Sequence, residues 1–486
     1  MKTHQLFKYV VIPVGYLIFS TGCSDFLERS SSDLIIPEHA EDFKELLQGE
    51  AYFKELFEKS AFAIYMTDDV EYRNDDEQSW SSVSHSDLFI YQDAYGWAPE
   101  VENDRLADAC FSYLYTQILT ANICLTALDK MKGTTQEKKI LEGQACFTRA
   151  FAYFLLANFY ARAYNEADAD DPCVPLVLEP DPTMDKPLPA TIETIWNRID
   201  KDITQALVCL KHEPETSIYE IGYMASLVLA TRIALFKENY EAVISYGEEL
   251  LGFNSRLYDI TLLPSDKEEN DESDRSFMNP FNNPEIIWMF DNGKKASYTR
   301  QLRLSVYREY FTISTQSTGA LLPLFTYDEK SGEGDKRLPL WFNPPGMLTF
   351  GWEPVKYDSY AVDYKHQNAF RTAEIYLSLA EAHARKNSPD TEKVLYYLNV
   401  LRSHRIIPYT PLENSDFSNF TTLIDFIWEE RRRELCMEEH HRWWDLRRCG
   451  RPALTHVWKN GAVFSLEKGG SAYVLTYPRY EREYNP

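Results

Sequence analysis

The sequence predicts a mostly α-helical protein, in which antiparallel helix pairs stand beside a loop-rich lobe with a few short strands. Three observations predict it. Apolar residues recur at steps of three and four over long stretches. Two stretches, 219–252 and 373–404, read as helix, turn, helix. Two others, 66–105 and 277–370, lose that periodicity and fill with polar residues, prolines and aromatics.

The elements follow in order. Phe43, Leu46 and Leu47, then Tyr52, Phe53, Leu56 and Phe57, fit helical stripes. Residues 66–105 read as a long irregular excursion, of the kind that is functional or disordered in a compact protein. Residues 106–131 and 136–164 are helical, the second tracing one face through Leu141, Ala145, Thr148, Ala152, Leu155 and Phe159. Residues 165–190 are loop, with Asp168, Asp170, Asp171 and several prolines. A helix over 191–211 takes Thr191 as N-cap and Glu193 in its first turn, where a carboxylate meets the positive helix end.

Ala225, Leu229, Ile233 and Phe236 form one stripe before a break at Lys237–Asn239, and Tyr240-Glu241-Ala242 opens the next helix. This resembles a tetratricopeptide unit, whose helix pairs stack side by side. Ile375, Leu379 and Ala382, a turn at Asn387–Asp390, then Val394, Leu398 and Leu401 repeat the style. Residues 264–276 are a charged loop, and Glu285–Phe290 reads as a short strand among prolines.

The first residues read as an export signal. Lys2 and Lys8 precede an uncharged apolar run, Tyr9–Phe19, shorter than the roughly 20 residues a membrane span needs. Ser20-Thr21-Gly22-Cys23 follows, small residues before a cysteine, although Ser20 stands where Leu is commonest in a lipobox. Cys23 is the expected lipidation site, and several acyl chains on one residue would hold a protein stably at a membrane. Ser24 at the next position carries no inner-membrane retention signal, and residues 24–40 read as a tether.

The chain has 486 residues and a net charge of −25, which disfavours phosphate backbones, so nucleic acid is not an expected partner. Its 32 tyrosines and 10 tryptophans are more amphipathic rings than a core readily hides, and surface rings can stack on sugar faces. Eight cysteines show no CxxC spacing; Cys124, Cys146 and Cys209 lie in apolar helical surroundings and read as small core residues.

No GxSxG, HExxH or P-loop pattern is present. Glu438-Glu439-His440-His441 would not converge on one metal ion, because adjacent helical residues point in different directions. The Asp-rich stretches at 68–77 and 168–171 do not match a calcium-binding EF-hand loop. No catalytic residue, metal or cofactor is expected. Glu429–Arg448 is the densest signal. It reads as a structural clasp, with guanidinium groups tied to buried carboxylates and indoles filling the core.

That segment carries a resemblance. Glu430-Arg431-Arg432-Arg433-Glu434-Leu435 and Arg442-Trp443-Trp444-Asp445-Leu446-Arg447-Arg448 resemble the closing pattern of the SusD/RagB family of nutrient-binding outer-membrane lipoproteins. Glu439-His440 replaces the usual Glu-Gly, removing the residue that eases a tight turn. Phe370–Leu377 with Ala380-Glu381-Ala382, Leu398–Arg402, Tyr113–Tyr115 with Ala121-Asn122, Val174-Pro175-Leu176 and the final Tyr477-Pro478 also fit.

The resemblance implies a SusD-like fold, with tetratricopeptide-like helix pairs and a loop-rich ligand-binding lobe. It implies a non-catalytic protein that captures glycan on the cell surface and delivers it to a SusC-like TonB-dependent outer-membrane barrel, with the helical-pair face docked on the barrel. The expected organisation is a signal peptide over 1–22, an N-terminal region over 23–215 and a C-terminal region over 216–486, the last two forming one unit. A peptide-binding member of the family and a surface glycoside hydrolase are the alternatives. Ligand contacts are expected among loop residues: Arg73, Trp80, Tyr91, Tyr95, Trp97 and Asn103 in the first excursion, and Tyr298, Trp341 and Trp352 in the second.

Overall fold

The computed structural model describes residues 37–74, 91–98, 104–180, 188–264, 277–290, 309–346, 350–356 and 368–484. Cys23, Trp80, Asn103 and Tyr298 lie outside the described residues, as do the signal segment and residues 24–36.

The longer helices are α1 (Ala40–Glu50), α2 (Asp104–Ala127), α3 (Thr135–Tyr160), α4 (Ile192–Leu210), α5 (Tyr223–Phe236), α6 (Tyr240–Phe253), α7 (Thr372–Arg385), α8 (Thr391–Ser403), α9 (Phe420–Leu435) and α10 (His441–Arg448). Their starts are set by capping side chains. The Thr134 hydroxyl accepts from Glu137 N–H (3.1 Å) while the Glu137 carboxylate accepts from Thr134 N–H (2.7 Å), closing a capping box at α3. Thr191 caps α4 as expected, accepting from Thr194 N–H at 3.2 Å. Asn239 opens α6 and Asp390 opens α8 in the same way.

Successive helices pack as antiparallel neighbours, α2 on α3, α3 on α4, α5 on α6 and α7 on α8, with α6 against α7 joining two of the pairs. Two glycines permit close approach. A Cβ at Gly143 would lie 2.7 Å from Leu210 Cγ, and one at Gly247 would lie 2.9 Å from Leu379 Cδ2. α5 is buried on every side from Ala225 to Phe236, which places it at the centre of the helical region. Each fully buried Leu, Ile or Phe there contributes about 1.5–3 kcal/mol of hydrophobic stabilisation. Cys124, Cys146 and Cys209 are buried and unpaired, in line with their apolar surroundings in the sequence.

The strands form small separate antiparallel sheets. β1 (Val70–Asn74) pairs with β3 (Glu309–Ile313), from Val70 opposite Ile313 to Asn74 opposite Glu309. β2 (Ile286–Phe290) pairs with β4 (Asn368–Arg371), and β5 (Leu454–Val457) forms a hairpin with β6 (Val463–Leu466).

The clasp foreseen in the closing motif holds these parts together. Glu434, fully buried, accepts from Arg405 Nε and an Arg405 terminal nitrogen (both 2.9 Å), and from Arg371 and Arg337 (3.1 Å each). Arg405 and Arg371 also reach Glu285, just before β2. Arg431 pairs with Asp445 at 3.0 Å, and Arg448 pairs with Asp445 and Glu381. Arg432 and Arg442 hold Asp69 and Asp68, anchoring the chain just before β1. Trp443 and Trp444 are 0 % exposed, the first stacked on Tyr473 and the second edge-on to Phe154.

At the turn between α9 and α10 His440 stands at the missing glycine's position with φ −129°, which any residue adopts, while Met437 (φ 60°) and Glu439 (φ 44°) beside it are left-handed. Such a backbone costs an L-residue about 1–2 kcal/mol. Here the Glu439 carboxylate is gripped by Arg232 through two hydrogen bonds, at 2.9 and 3.0 Å, which offset that cost. Of the side chains of 438–441, Glu438 goes to Arg371, Glu439 to Arg232 and His440 to Ser60, while His441 Nε2 lies 3.6 Å from the Glu439 carboxylate.

Burial alone would raise the Glu374 carboxyl. Arg232, with His441 and Arg431, outweighs it and holds the group at about 2. Burial likewise opposes ionisation of Asp68, yet Arg442 and Arg432 hold it at about 2.

Candidate functional site

The two-stranded ribbon β1–β3 organises the loop lobe. Alternation along a strand sends its side chains to opposite faces. On one face Tyr72 and Phe311 join Tyr95 and Trp458, with Tyr72 4.3 Å from Trp458 and Phe311 5.1 Å from Tyr95 between ring centroids. On the other face lie Glu71, Arg73, Tyr310 and Thr312. Residues 350–352 cover part of it: Tyr310 donates its hydroxyl to the Phe350 carbonyl (3.1 Å) and Thr312 donates to the Trp352 carbonyl (3.0 Å).

The open end of this second face is polar and prearranged. Glu71 is buried and accepts from Arg73 Nε (2.9 Å), Thr315 Oγ1 (2.8 Å) and the backbone N–H groups of Gln316 and Ser317 (3.2 Å each). Burial would raise its carboxyl, but Thr315 and Arg73 outweigh that and lower it, so it stays ionised. Arg73 also donates to Thr315 Oγ1 at 2.9 Å and Gln316 Oε1 at 3.1 Å. Its side chain keeps 29 % exposure. A guanidinium locked by a buried carboxylate, beside an exposed amide and a hydroxyl, can donate to and accept from a polyhydroxyl ligand.

The structure sorts the residues singled out from sequence. Arg73 and Trp352, the latter half-buried, sit at the ribbon with open surface. Tyr91, Tyr95 and Trp97 gather nearby, but at 6, 1 and 5 % exposure their rings are packed, which corrects the expectation that they are open stacking platforms. Tyr91 stacks on Tyr65 at 4.1 Å, and the His456 ring is sandwiched between Tyr95 (4.0 Å) and Trp97 (4.1 Å). Trp97 also donates its indole N–H to the Met66 carbonyl at 2.9 Å. Trp341 is 0 % exposed, its face covered by the Lys356 ammonium at 3.7 Å, so it too is core rather than platform. These rings carry a polar edge and a large apolar face, and here the apolar face is spent on burial.

Sequence reasoning missed Glu71, Thr315, Gln316, His456 and Trp458. The last two had a signal, since Leu454, His456 and Trp458 alternate as one face of a strand running into its turn. Thr315 and Gln316 had none, because their position depends on strand pairing across more than 200 residues.

One pair has hydrolase-like spacing. Ser60 Oγ lies 2.7 Å from His440 Nε2. Ser60 also donates to the Leu56 carbonyl (2.5 Å), and Phe57 stacks on the imidazole at 5.2 Å. Burial pushes His440 down to about 3, too weak a base to activate a hydroxyl near neutral pH. The adjoining space is only 10 Å³. This pair is packing.

Comparisons with known proteins agree along the chain. A SusD-like family model described as "Starch-binding associating with outer membrane" matches residues 25–235. A second model, the SusD family, matches residues 346–485. Among solved structures, a SusD-like carbohydrate-binding protein of Bacteroides vulgatus superposes with a TM-score of 0.66 at 19 % identity, covering 92 % of this chain and 97 % of that one. A SusD superfamily protein of Bacteroides thetaiotaomicron gives 0.70 at 17 % identity, covering 92 % and 98 %. A putative sugar-binding protein of Bacteroides vulgatus gives 0.68 at 19 %, covering 93 % and 98 %. No curated protein sequence matches the chain. Among the described residues no helix is long and apolar enough to cross a membrane.

Proposed function

Because the chain belongs to the SusD/RagB family, whose members are outer-membrane-associated and bind carbohydrate, we propose that it captures oligo- or polysaccharide at the cell surface and delivers it to a SusC-like TonB-dependent barrel. Cys23 is the lipid anchor in this reading, and residues 24–40 are the tether. The organisation is a signal peptide over 1–22 and two regions, 23–215 and 216–486, acting as one unit. The protein binds and does not catalyse.

The observation that carries the reading is the polar end of the β1–β3 ribbon. There Arg73, Thr315 and Gln316 are set by buried Glu71, with Trp352 at the neighbouring edge. Apolar sugar faces stack on an indole, while hydroxyls need convergent donors and acceptors. Trp80, Asn103 and Tyr298 remain proposed contacts on the segments outside the described residues.

Affinity electrophoresis of the mature chain through gels containing starch, mannan, xylan or galactan tests the sugar part. At least one polysaccharide should retard it, and Trp352→Ala or Arg73→Ala should travel faster in that gel. Silence in every gel together with calorimetric binding of oligopeptides would favour the peptide-binding alternative. Co-purification from detergent-solubilised outer membrane tests the partner: a barrel should accompany the tagged protein, and its absence would refute the delivery role.

A further inference from the structure

Thr315 and Gln316, two of the polar groups at the open end of the ribbon, belong to the segment 314–321 that follows β3. That segment is fastened at three points. At its start Ser314 donates its N–H to the Asp69 carbonyl (2.9 Å) and its hydroxyl to the Asp68 carbonyl (2.6 Å). The same hydroxyl accepts from Leu321 N–H (2.9 Å), which ties the two ends of the segment together. In the middle, the N–H groups of Gln316 and Ser317 donate to Glu71. Toward its end, Arg432 donates to the Gly319 carbonyl at 2.7 Å.

The third fastening comes from the closing motif. Arg431, Arg432 and Arg433 are consecutive on α9, and their side chains part. Arg431 goes to Asp445, and Arg433 goes to Glu430 and the Leu324 carbonyl. Arg432 reaches into the loop lobe. Its Nε donates to Asp69 (2.7 Å), one terminal nitrogen to the Gly319 carbonyl, and the other to the Asp68 carbonyl (3.2 Å), the oxygen that also accepts from Ser314. One guanidinium thus joins the residues before β1 to the far end of 314–321.

The fork is 8 % exposed, and an ionised donor makes stronger hydrogen bonds than a neutral one. Gly319 presents its carbonyl from a left-handed backbone, φ 76°, which favours glycine. Ser314, Asp68, Asp69 and Arg432 are buried, whereas Thr315 is half-buried and Gln316 exposed. A buried base therefore carries an open tip. Binding groups held by such supporting bonds lose less freedom when a ligand arrives.

We propose that Arg432 is a positioning residue for the ribbon site. It does not touch the ligand. Together with the Ser314 fastening beside it, it holds Thr315 and Gln316 against Arg73 in the arrangement a saccharide meets. The proposal rests on the saccharide reading above, and its test separates the two because one arm needs no ligand.

That arm is amide hydrogen exchange of the mature chain, followed by mass spectrometry, for wild type, Arg432→Lys, Ser314→Ala and Arg431→Lys. Lysine keeps a charge beside Asp68 and Asp69, but a point donor cannot fork to three partners. Ser314→Ala releases the start of the segment without altering the guanidinium, and it carries the test if Arg432→Lys does not fold. Arg431→Lys disturbs the neighbouring arginine, whose partners Asp445 and Ser378 lie on α10 and α7. The second arm is retention of the same proteins in the four polysaccharide gels.

Exchange across 315–321 should be at least threefold faster in Arg432→Lys and Ser314→Ala and unchanged in Arg431→Lys. In a gel that retards the wild type, the first two should lose at least threefold in retention, and Arg431→Lys should match the wild type. Unchanged exchange in the folded variants, or equal acceleration in Arg431→Lys, would overturn the positioning role. Faster exchange with wild-type retention in every retarding gel would overturn it too and leave the saccharide reading standing. A wild type that no gel retards would overturn the saccharide reading, and the positioning role with it.

Discussion

The closing clasp and the β1–β3 ribbon both contain arginine tied to buried carboxylate, yet they differ in what the pairing leaves over. In the clasp, Glu434 is shared by Arg337, Arg371 and Arg405, all buried, and those arginines are in turn absorbed by Asp335, Glu285 and Glu438. In the ribbon, Glu71 is buried but Arg73 keeps an open edge beside Gln316. A closed network specifies a fold, whereas a half-open one is ready to meet a ligand. The difference teaches where to look for function in this chain. The most conspicuous sequence motif is scaffold, and the half-open cluster proposed to bind sits on unremarkable residues that strand pairing brings together.

Breaking the two networks should give the largest contrast. Glu434→Ala leaves three buried guanidinium groups short of a partner and should cost about 3–5 kcal/mol of stability. Arg73→Ala, at a part-exposed pair, should cost about 1 kcal/mol or less. Urea denaturation followed by circular dichroism measures both, and equal costs would erase the distinction.

Acid should attack the clasp first. Glu374 and Asp68 have folded values near 2, below their unfolded values. Their stabilisation is fully present above about pH 4.5 and is lost as pH falls toward 2. His440 has a folded value near 3, below its ordinary 6.5, so the unfolded state takes up its proton first. That term removes stability as pH falls from about 6.5 toward 3. Melting temperature should therefore decline from about pH 6.5 and drop further below 4.5, and a flat profile down to pH 3 would contradict this.

Much of the fold was legible because its signals are local. The helix pairs at 223–253 and 372–403 follow from periodicity, a break at Lys237–Asn239 and caps at Asn239 and Asp390. The clasp was legible because i,i+3 and i,i+4 charges announce it. The site was less legible. Composition marks Tyr95, Trp97 and Trp341 as aromatic and loop-borne, but only three-dimensional packing shows that His456, Met66 and Lys356 cover them. Arg73 and Trp352 share that loop context and keep part of their surface open, which keeps them as proposed contacts.

A smaller effect probes that burial. Tyr95→Phe removes a hydroxyl that accepts from Tyr72 N–H (3.1 Å) and reaches the Val457 carbonyl (3.3 Å). It should lower stability by about 1 kcal/mol and leave saccharide retention unchanged. The smallest effect belongs to the clasp's solvent rim. Glu429 is 51 % exposed in its pair with Arg433, and Glu429→Ala should shift stability by about 0.5 kcal/mol or less in the same urea titration.

The most direct measurement is the retention of Trp352→Ala relative to wild type in a gel that retards the wild type, with both proteins melting within a few degrees of each other. The account predicts roughly tenfold weaker retention at nearly unchanged stability, equivalent to about 1.4 kcal/mol of binding. Equal retention of the two proteins, or a wild type that no polysaccharide retards, would contradict it.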